Sequence, residues 1–228
     1  MTTRKIKLWD LPTRLFHWLL AATVAGALVS GQIGGNAMDW HGRLGLATIG
    51  LVVFRLVWGL AGSTYARFAQ FLPRPAQVRA YLQGRWQSVG HNPLGALSVL
   101  ALLLLIAAQA GTGLFANDDI AFRGYLYSLA DSSLSGQLTE VHELLSNLLI
   151  GLVVLHIAAV VFHTRVKKDN LVKPMLTGWK ETEQDVPSAS GGGLLALVVA
   201  LLLATAAVYG ASGAWLPPPP SAATAPSW

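Results

Sequence analysis

The chain carries six histidines, His17, His41, His91, His142, His156 and His163, and at least four of them lie in or at the ends of long apolar runs. An ionisable ring surrounded by hydrocarbon has lost its water, so it needs a compensating partner and marks a functional position by default. His142 and His156 stand fourteen residues apart in one apolar segment. On a helix turning once per 3.6 residues, that spacing returns to nearly the same face, roughly 21 Å further along the axis. Two nitrogen ligands on one face, one near each membrane surface, describe two stacked metal centres. The chain has no cysteine. Disulfides, thiolate-held iron–sulfur clusters and thioether-linked haem are therefore excluded.

The elements that must position these rings follow from composition. Of 228 residues, 53% are hydrophobic and 12% charged, and the mean hydropathy is +0.50. Soluble domains carry about 25% charged residues, so the chain reads as a membrane protein. Five apolar segments, near residues 14–33, 41–62, 94–115, 142–164 and 193–210, approach the length that crosses about 30 Å of hydrocarbon. The first follows Arg4, Lys5, Lys7 and Arg14 as a signal peptide would, but no small-x-small site ends it and His17 and Trp18 stand at its mouth, so it reads as a retained helix. The short turn-rich stretch Gly34 to Asp39 makes the first two helices an antiparallel pair.

Charge orients the bundle. Arg67, Arg74, Arg79 and Arg85 fill the loop after the second segment, and Arg165, Lys167, Lys168, Lys173 and Lys180 follow the fourth. Asp118, Asp119, Asp131 and Glu140 stand against a single Arg123 after the third. The positive-inside rule then makes the N-terminus, the 63–93 loop and the 165–190 stretch cytoplasmic and the C-terminus periplasmic. The net charge of +5 follows membrane side and is no nucleic-acid signal. The expected organisation is a membrane domain over 1–183, a flexible Ser- and Gly-rich linker at 184–193, and a further helix with a Pro-rich periplasmic tail at 194–228. The further helix reads as a plain anchor or as a partner-docking helix.

Depth pairs the histidines. His41 and His142 open their helices from the outer side; His17 and His156 lie toward the inner side. A haem between helices needs two axial nitrogens at equal depth, and each pair meets that condition. Two imidazoles on one iron leave no open coordination position, which suits electron transfer. Interfacial histidines bonded to carbonyls are the plain alternative, but four rings at matched depths on three helices argue against it. His163 shares the face of His156, so spacing leaves both open as inner ligand, although its place beside Arg165 favours solvation. His91 reads as a helix-start or surface residue, with a quinone or partner contact as the other choice. Arg55 stands fourteen residues after His41, on the same face, at a depth where a guanidinium would match a haem propionate or a quinone head group. Arg43 is placed for an outer propionate or for the head-group layer. Gly45, one turn below His41, would let a flat macrocycle approach the backbone.

The segments WDLPTRLFHW (9–18), HGRLGLATIGLVVFRLVWG (41–59), GHNPLGALSVLALL (90–103), HELLSNLLIGLVVLHIAAVVFH (142–163) and the basic KKDN stretch at 167–173 resemble the bacterial cytochrome b561 family, which includes the cytochrome b subunits of membrane-bound nickel–iron hydrogenases. The resemblance spans roughly residues 6–180. It implies an all-α transmembrane four-helix bundle holding two haem b groups, with His17, His41, His142 and His156 as iron ligands, His156 rather than His163. It also implies electron transfer between the ubiquinone or menaquinone pool and a redox partner in the bacterial inner membrane. The fifth helix departs from that pattern and leaves partner and oligomeric state, including a homodimer, open. The expected function is a di-haem electron carrier whose partner is a periplasmic c-type cytochrome or a dehydrogenase or hydrogenase subunit. The acidic 116–141 loop, with Tyr125, Leu126 and Tyr127, is the expected docking surface. The alternatives are a superoxide:quinone oxidoreductase drawing its anion to Arg43 and Arg123, and a haem-free transporter or proton path.

Overall fold

The structure is a computed structural model, and it describes residues 3–87, 89–120 and 122–217. In chain order, strand β1 (Arg4–Lys7) precedes helices α1 (Leu11–Ile33) and α2 (Met38–Ala61). Short helices α3 (Phe68–Phe71) and α4 (Pro75–Leu82) lead to α5 (Pro93–Gly113) and α6 (Ser132–Arg165). Helix α7 (Val172–Thr177), strand β2 (Trp179–Thr182) and α8 (Gly193–Ala211) complete the chain. Among the described residues, α1, α2, α5, α6 and α8 are long and apolar enough to cross a membrane. The protein is a multi-pass membrane helical bundle.

Three of the five long helices, α1, α5 and α6, start where the sequence supplies a side-chain cap. Asp10 Oδ1 accepts the Thr13 N–H at 2.6 Å, with Pro12 in the first turn of α1. Asn92 Oδ1 accepts the Gly95 N–H at 2.7 Å before Pro93. Asp131 Oδ1 accepts the Leu134 N–H at 2.9 Å ahead of α6. A side-chain acceptor at this position satisfies an otherwise orphaned N–H. Gly34, at φ +66°, ends α1 in a conformation that other residues avoid. Asp10 has a second role: its Oδ2 accepts the Trp58 indole N–H at 3.0 Å, tying the start of α1 to the end of α2.

Helix α6 corrects the expected boundary of the fourth segment. It begins at Ser132, so residues 132–141, read as loop, are helical and His142 lies ten residues inside the helix. Its 34 residues extend about 51 Å, well beyond the roughly 30 Å hydrocarbon core. The ten residues before His142 are largely polar, so hydropathy could not register them. The expected docking loop is therefore a shorter segment, 114–131, followed by a helical stalk.

Helix α2 is the hub. It packs closely against α1, α5 and α8, while α5 packs on α6. Small residues set the α2–α8 distance: a Cβ on Gly50 would stand 2.8 Å from Val208 Cγ2. Ala196, Leu197, Ala200 and Ala204 of α8 join the core of Phe16, Phe54, Trp58 and Leu103. Close approach of this kind drives helix association in lipid. The segment before α8 is tied down by the Ala189 N–H to the Lys7 carbonyl at 2.7 Å and the Thr64 N–H to the Ser190 carbonyl at 2.8 Å.

The end of the bundle that carries β1 and β2, here the sheet end, holds an element the sequence reading did not contain. The two strands pair antiparallel, Arg4 opposite Thr182 and Lys7 opposite Trp179. Ile6, Leu8, Trp9 and Val89 form a second core beneath them. The opposite, far end carries the 114–131 segment. The Pro-rich tail lies outside the described residues from Pro218 onward.

Candidate functional site

His41 on α2 and His142 on α6 face each other near the far end, their ring centroids 5.9 Å apart and their planes at 83°. Each ring is aimed by a helix carbonyl. His41 Nδ1 lies 2.8 Å from the Ala27 carbonyl, and His142 Nδ1 2.9 Å from the Gln109 carbonyl. A carbonyl only accepts, so both Nδ1 atoms carry the hydrogen and both Nε2 atoms are left as acceptors. The Gln109 amide nitrogen, 3.1 Å from His142 Nε2, is placed to donate to it, as this tautomer requires. Fixing a ring through its second nitrogen is how proteins orient metal-ligating histidines.

The cleft between these rings is lined by Gly42, Gly45, Leu46, Ala110, Leu114 and Phe122, among others. A Cβ on Gly45 would meet nothing within 4 Å, so this glycine opens onto free space beside the pair. The neighbouring glycines do the opposite. A Cβ on Gly31 would stand 3.0 Å from His41 Nδ1, and one on Gly113 2.8 Å from His142 Cε1, so each lets a ring lie against the adjacent helix. The aromatic edge of Phe122 approaches His41, centroids 6.4 Å apart.

Toward the sheet end, α1 carries His17 and α6 carries His156. His17 Nδ1 is buried with no partner among the described residues. His163 is occupied elsewhere: its Nε2 lies 3.2 Å from the Tyr81 hydroxyl. Between the two levels sits an apolar layer of Val52, Ile106 and Leu149, packed with Leu20, Val24, Leu102, Leu105 and Val153. Leu149 is the seventh residue after His142 and the seventh before His156.

Arg55 is 3% exposed. Its guanidinium lies 4.6 Å from the Phe68 ring centroid and 6.0 Å from those of Phe16 and Phe71, with Nη1 unpartnered among the described residues. Gly59, one turn below, leaves the space that the Phe68 ring fills. Cation–π contact offsets part of the cost of burying this charge, and an anionic group at Nη1 would offset more. Arg43 is exposed over Trp40, 5.3 Å from its centroid, away from the cleft. Arg123 stacks on Tyr127 at 4.7 Å.

The acidic residues of the far end serve the local fold. Asp118 Oδ1 accepts the Ile120 and Phe122 N–H groups, each at 2.9 Å, and Asp131 caps α6. His91, read as a helix-start or surface residue, directly precedes the α5 cap Asn92 and is packed between Trp9 and Phe71, with ring centroids at 4.8 and 4.3 Å. Burial, reinforced by the Arg55 charge, lowers its pKa to about 4, so the ring is neutral at neutral pH.

Four supporting groups escaped the sequence reading: the Ala27 carbonyl, Gln109, Gly31 and Gly113. Gln109 did leave a signal, as a lone amide in the apolar run LLLLIAAQAGTG. The carbonyl left none, since every residue has one.

Among the described residues no three or more His, Cys, Asp or Glu side chains gather as a metal site. The histidines come in pairs. A pair of aimed imidazoles beside a glycine-lined cleft fits a group that brings its own equatorial ligands and needs the protein only at its two faces. Haem is such a group.

Comparison with known proteins agrees. The chain is 24% identical over 220 residues to a probable Ni/Fe-hydrogenase B-type cytochrome subunit of Azotobacter vinelandii, covering 80% of this chain and 91% of that one. The corresponding subunit of Azotobacter chroococcum mcd 1 is 25% identical over 228 residues, with the same coverage. No solved structure matches. The model of the prokaryotic cytochrome b561 family matches residues 8–178, and the chain belongs to that family of membrane b-type cytochromes that work in electron transfer.

Proposed function

We propose that this protein carries electrons across the membrane through two haem b groups, one held by His41 and His142 and the other by His17 and His156. The facing His41–His142 pair, with both Nε2 atoms left as acceptors by carbonyl-bound Nδ1 atoms, is the observation that carries this reading. Haem so bound supplies a one-electron iron couple with no open coordination position. Fourteen residues separate His142 from His156, which sets the levels roughly 21 Å apart along α6. The chain's own contribution is to aim the rings, to keep the layer between the levels apolar, and to hold the Arg55 cation ready for a propionate of the sheet-end group. Gly45 gives the far-end macrocycle its close approach.

The arginine-rich 63–93 loop and the lysines after α6 support a cytoplasmic sheet end by the positive-inside rule. The electrons pass between the quinone pool and a periplasmic redox protein. The names of the Azotobacter relatives favour a hydrogenase subunit as that partner; the acidic residues of the far end would equally suit a basic c-type cytochrome.

A reduced-minus-oxidised spectrum with haem quantification tests the proposal. The parent should hold two haems per chain. His41→Ala and His142→Ala should lose one and the same haem, His17→Ala and His156→Ala the other, and His163→Ala neither. A colourless folded protein from haem-replete cells, or loss on His163→Ala but not His156→Ala, would overturn the assignment.

A further inference from the structure

The family match ends at residue 178, so α8 and the segment leading to it lie beyond it. That segment is a strap fastened at successive residues. The Pro187 carbonyl accepts the Tyr65 hydroxyl at 2.7 Å, the Ala189 N–H donates to the Lys7 carbonyl at 2.7 Å, and the Ser190 carbonyl accepts the Thr64 N–H at 2.8 Å. Gly191 bridges to Ser63. Gly191 and Gly192, at φ +87° and +80°, then carry the backbone against the Trp58 indole. A Cβ on Gly192 would stand 2.8 Å from Trp58 Cη2, so only glycine lets the strap lie this close to the ring. Beyond the strap, Ala200 of α8 joins the core that contains Trp58.

Trp58 is buried and grips α1 in two ways. Its indole N–H donates to Asp10 Oδ2 at 3.0 Å, while Oδ1 of the same carboxylate accepts the Thr13 N–H and starts the helix. Its ring stacks on Phe54, with centroids 6.0 Å apart at 11°, and Phe54 stacks on Phe16 at 6.4 Å and 26°. Phe16 directly precedes His17, and Asp10 stands seven residues before His17, about two helical turns. Rolling α1 would unstack Phe16, and sliding it along α2 would pull Asp10 off the indole. Either motion would turn or lift the His17 ring. The strap closes the remaining freedom, because an indole backed by Gly192 cannot swing to follow α1. Groups outside the ligand set fix the orientation of a metal-binding ring in this way.

We propose that Trp58, held by the Gly191–Gly192 strap of α8, is a positioning residue for the sheet-end haem: it fixes the start of α1 and with it the depth and plane of the His17 ring. The proposal rests on the two-haem reading above and deepens it by giving the fifth helix a task at one of the two sites.

The test uses the full-length, haem-loaded chain in nanodiscs, as the parent, Trp58→Phe, Gly192→Ala and Gly193→Ala. Trp58→Phe keeps a ring and loses the donor. Gly192→Ala sets a Cβ against the indole. Gly193, at φ +65°, would have nothing within 4 Å of its Cβ, so Gly193→Ala brings the same kind of backbone strain without touching Trp58. Hydrogen exchange read by mass spectrometry follows the amides of residues 14–17. Electron paramagnetic resonance of the oxidised protein reads the angle between the axial imidazoles at each haem, the two signals being assigned by their loss in His17→Ala and His41→Ala. In Trp58→Phe and Gly192→Ala the amides should exchange about tenfold faster, as loss of one ordinary hydrogen bond allows. The sheet-end signal should shift, the far-end signal should stay, and Gly193→Ala should match the parent. Parent-like exchange and spectra in Trp58→Phe, a shift at both haems, or equal effects of the two glycine variants overturn the proposal. Faster exchange with an unmoved sheet-end signal leaves Trp58 a holder of the fold alone and overturns it too. Should Trp58→Phe not fold, the glycine variants decide. A parent without haem refutes the electron-transfer reading and this inference with it, while a di-haem parent whose variants behave like it refutes only this inference.

Discussion

Gly113→Ala should disable one haem site and spare the other. The added Cβ would stand 2.8 Å from His142 Cε1 and 3.1 Å from Nδ1, where ordinary contact begins at 3.4 Å. The imidazole must therefore retreat by about 0.6 Å. That movement, taken along the 2.9 Å bond from Nδ1 to the Gln109 carbonyl, stretches it to about 3.5 Å, outside hydrogen-bond range. Loss of such a second-sphere partner lowers affinity for the bound group about 10–100-fold. The fold itself should not suffer, because alanine is the better helix former by about 1 kcal/mol. Gly31→Ala provides a milder comparison, since its Cβ would meet His41 Nδ1 at 3.0 Å. The assay is haem transfer to excess apomyoglobin, followed spectrally. Half of the haem in Gly113→Ala should leave at least tenfold more readily than in the parent, and the remainder at the parent rate. Unchanged retention of both haems, or preferential loss of the group assigned to His17 and His156, would refute the geometry argued for the far-end pair.

Arg55→Gln should lower the midpoint potential of the sheet-end haem by roughly tens of millivolts, because a nearby cation favours the less positive ferrous state; a redox titration of parent and variant measures it, and an equal shift at both haems would contradict the placement. His91 has its folded-state pKa depressed to about 4, below its unfolded value of about 6.5. Its neutral burial thus contributes stability above pH 6.5 that is lost as pH falls toward 4, at most about 3 kcal/mol. His91→Asn should flatten the acid limb of a stability–pH profile, and an identical slope in parent and variant would remove the argument. Gly50→Leu should press on Val208, force α8 away from α2 and cost about 1–3 kcal/mol by overpacking, read as a lower melting temperature with both haems retained.

The residues that position the sites were legible to different depths. The caps Asp10, Asn92 and Asp131 act within three residues of themselves, yet only the apolar runs were read, and the fourth helix was begun ten residues late, at His142. The fourteen-residue interval between His142 and His156 was equally local, since helix period and rise convert it to a face and a height. The charge of the connecting loops ordered the ends of the bundle for the same reason: each loop is read by itself.

What the sequence by itself determined was the set of membrane helices and the two levels at which imidazoles stand. Tertiary structure decided which groups meet. It turned His163 to Tyr81, packed the helix-start residue His91 between Trp9 and Phe71, and seated α8 on Gly50 of α2. It also paired residues 4–7 with 179–182. Each of these depends on groups far apart in the chain brought together by packing of whole helices, and the short-range periodicity of a sequence holds no record of which helix lies beside which.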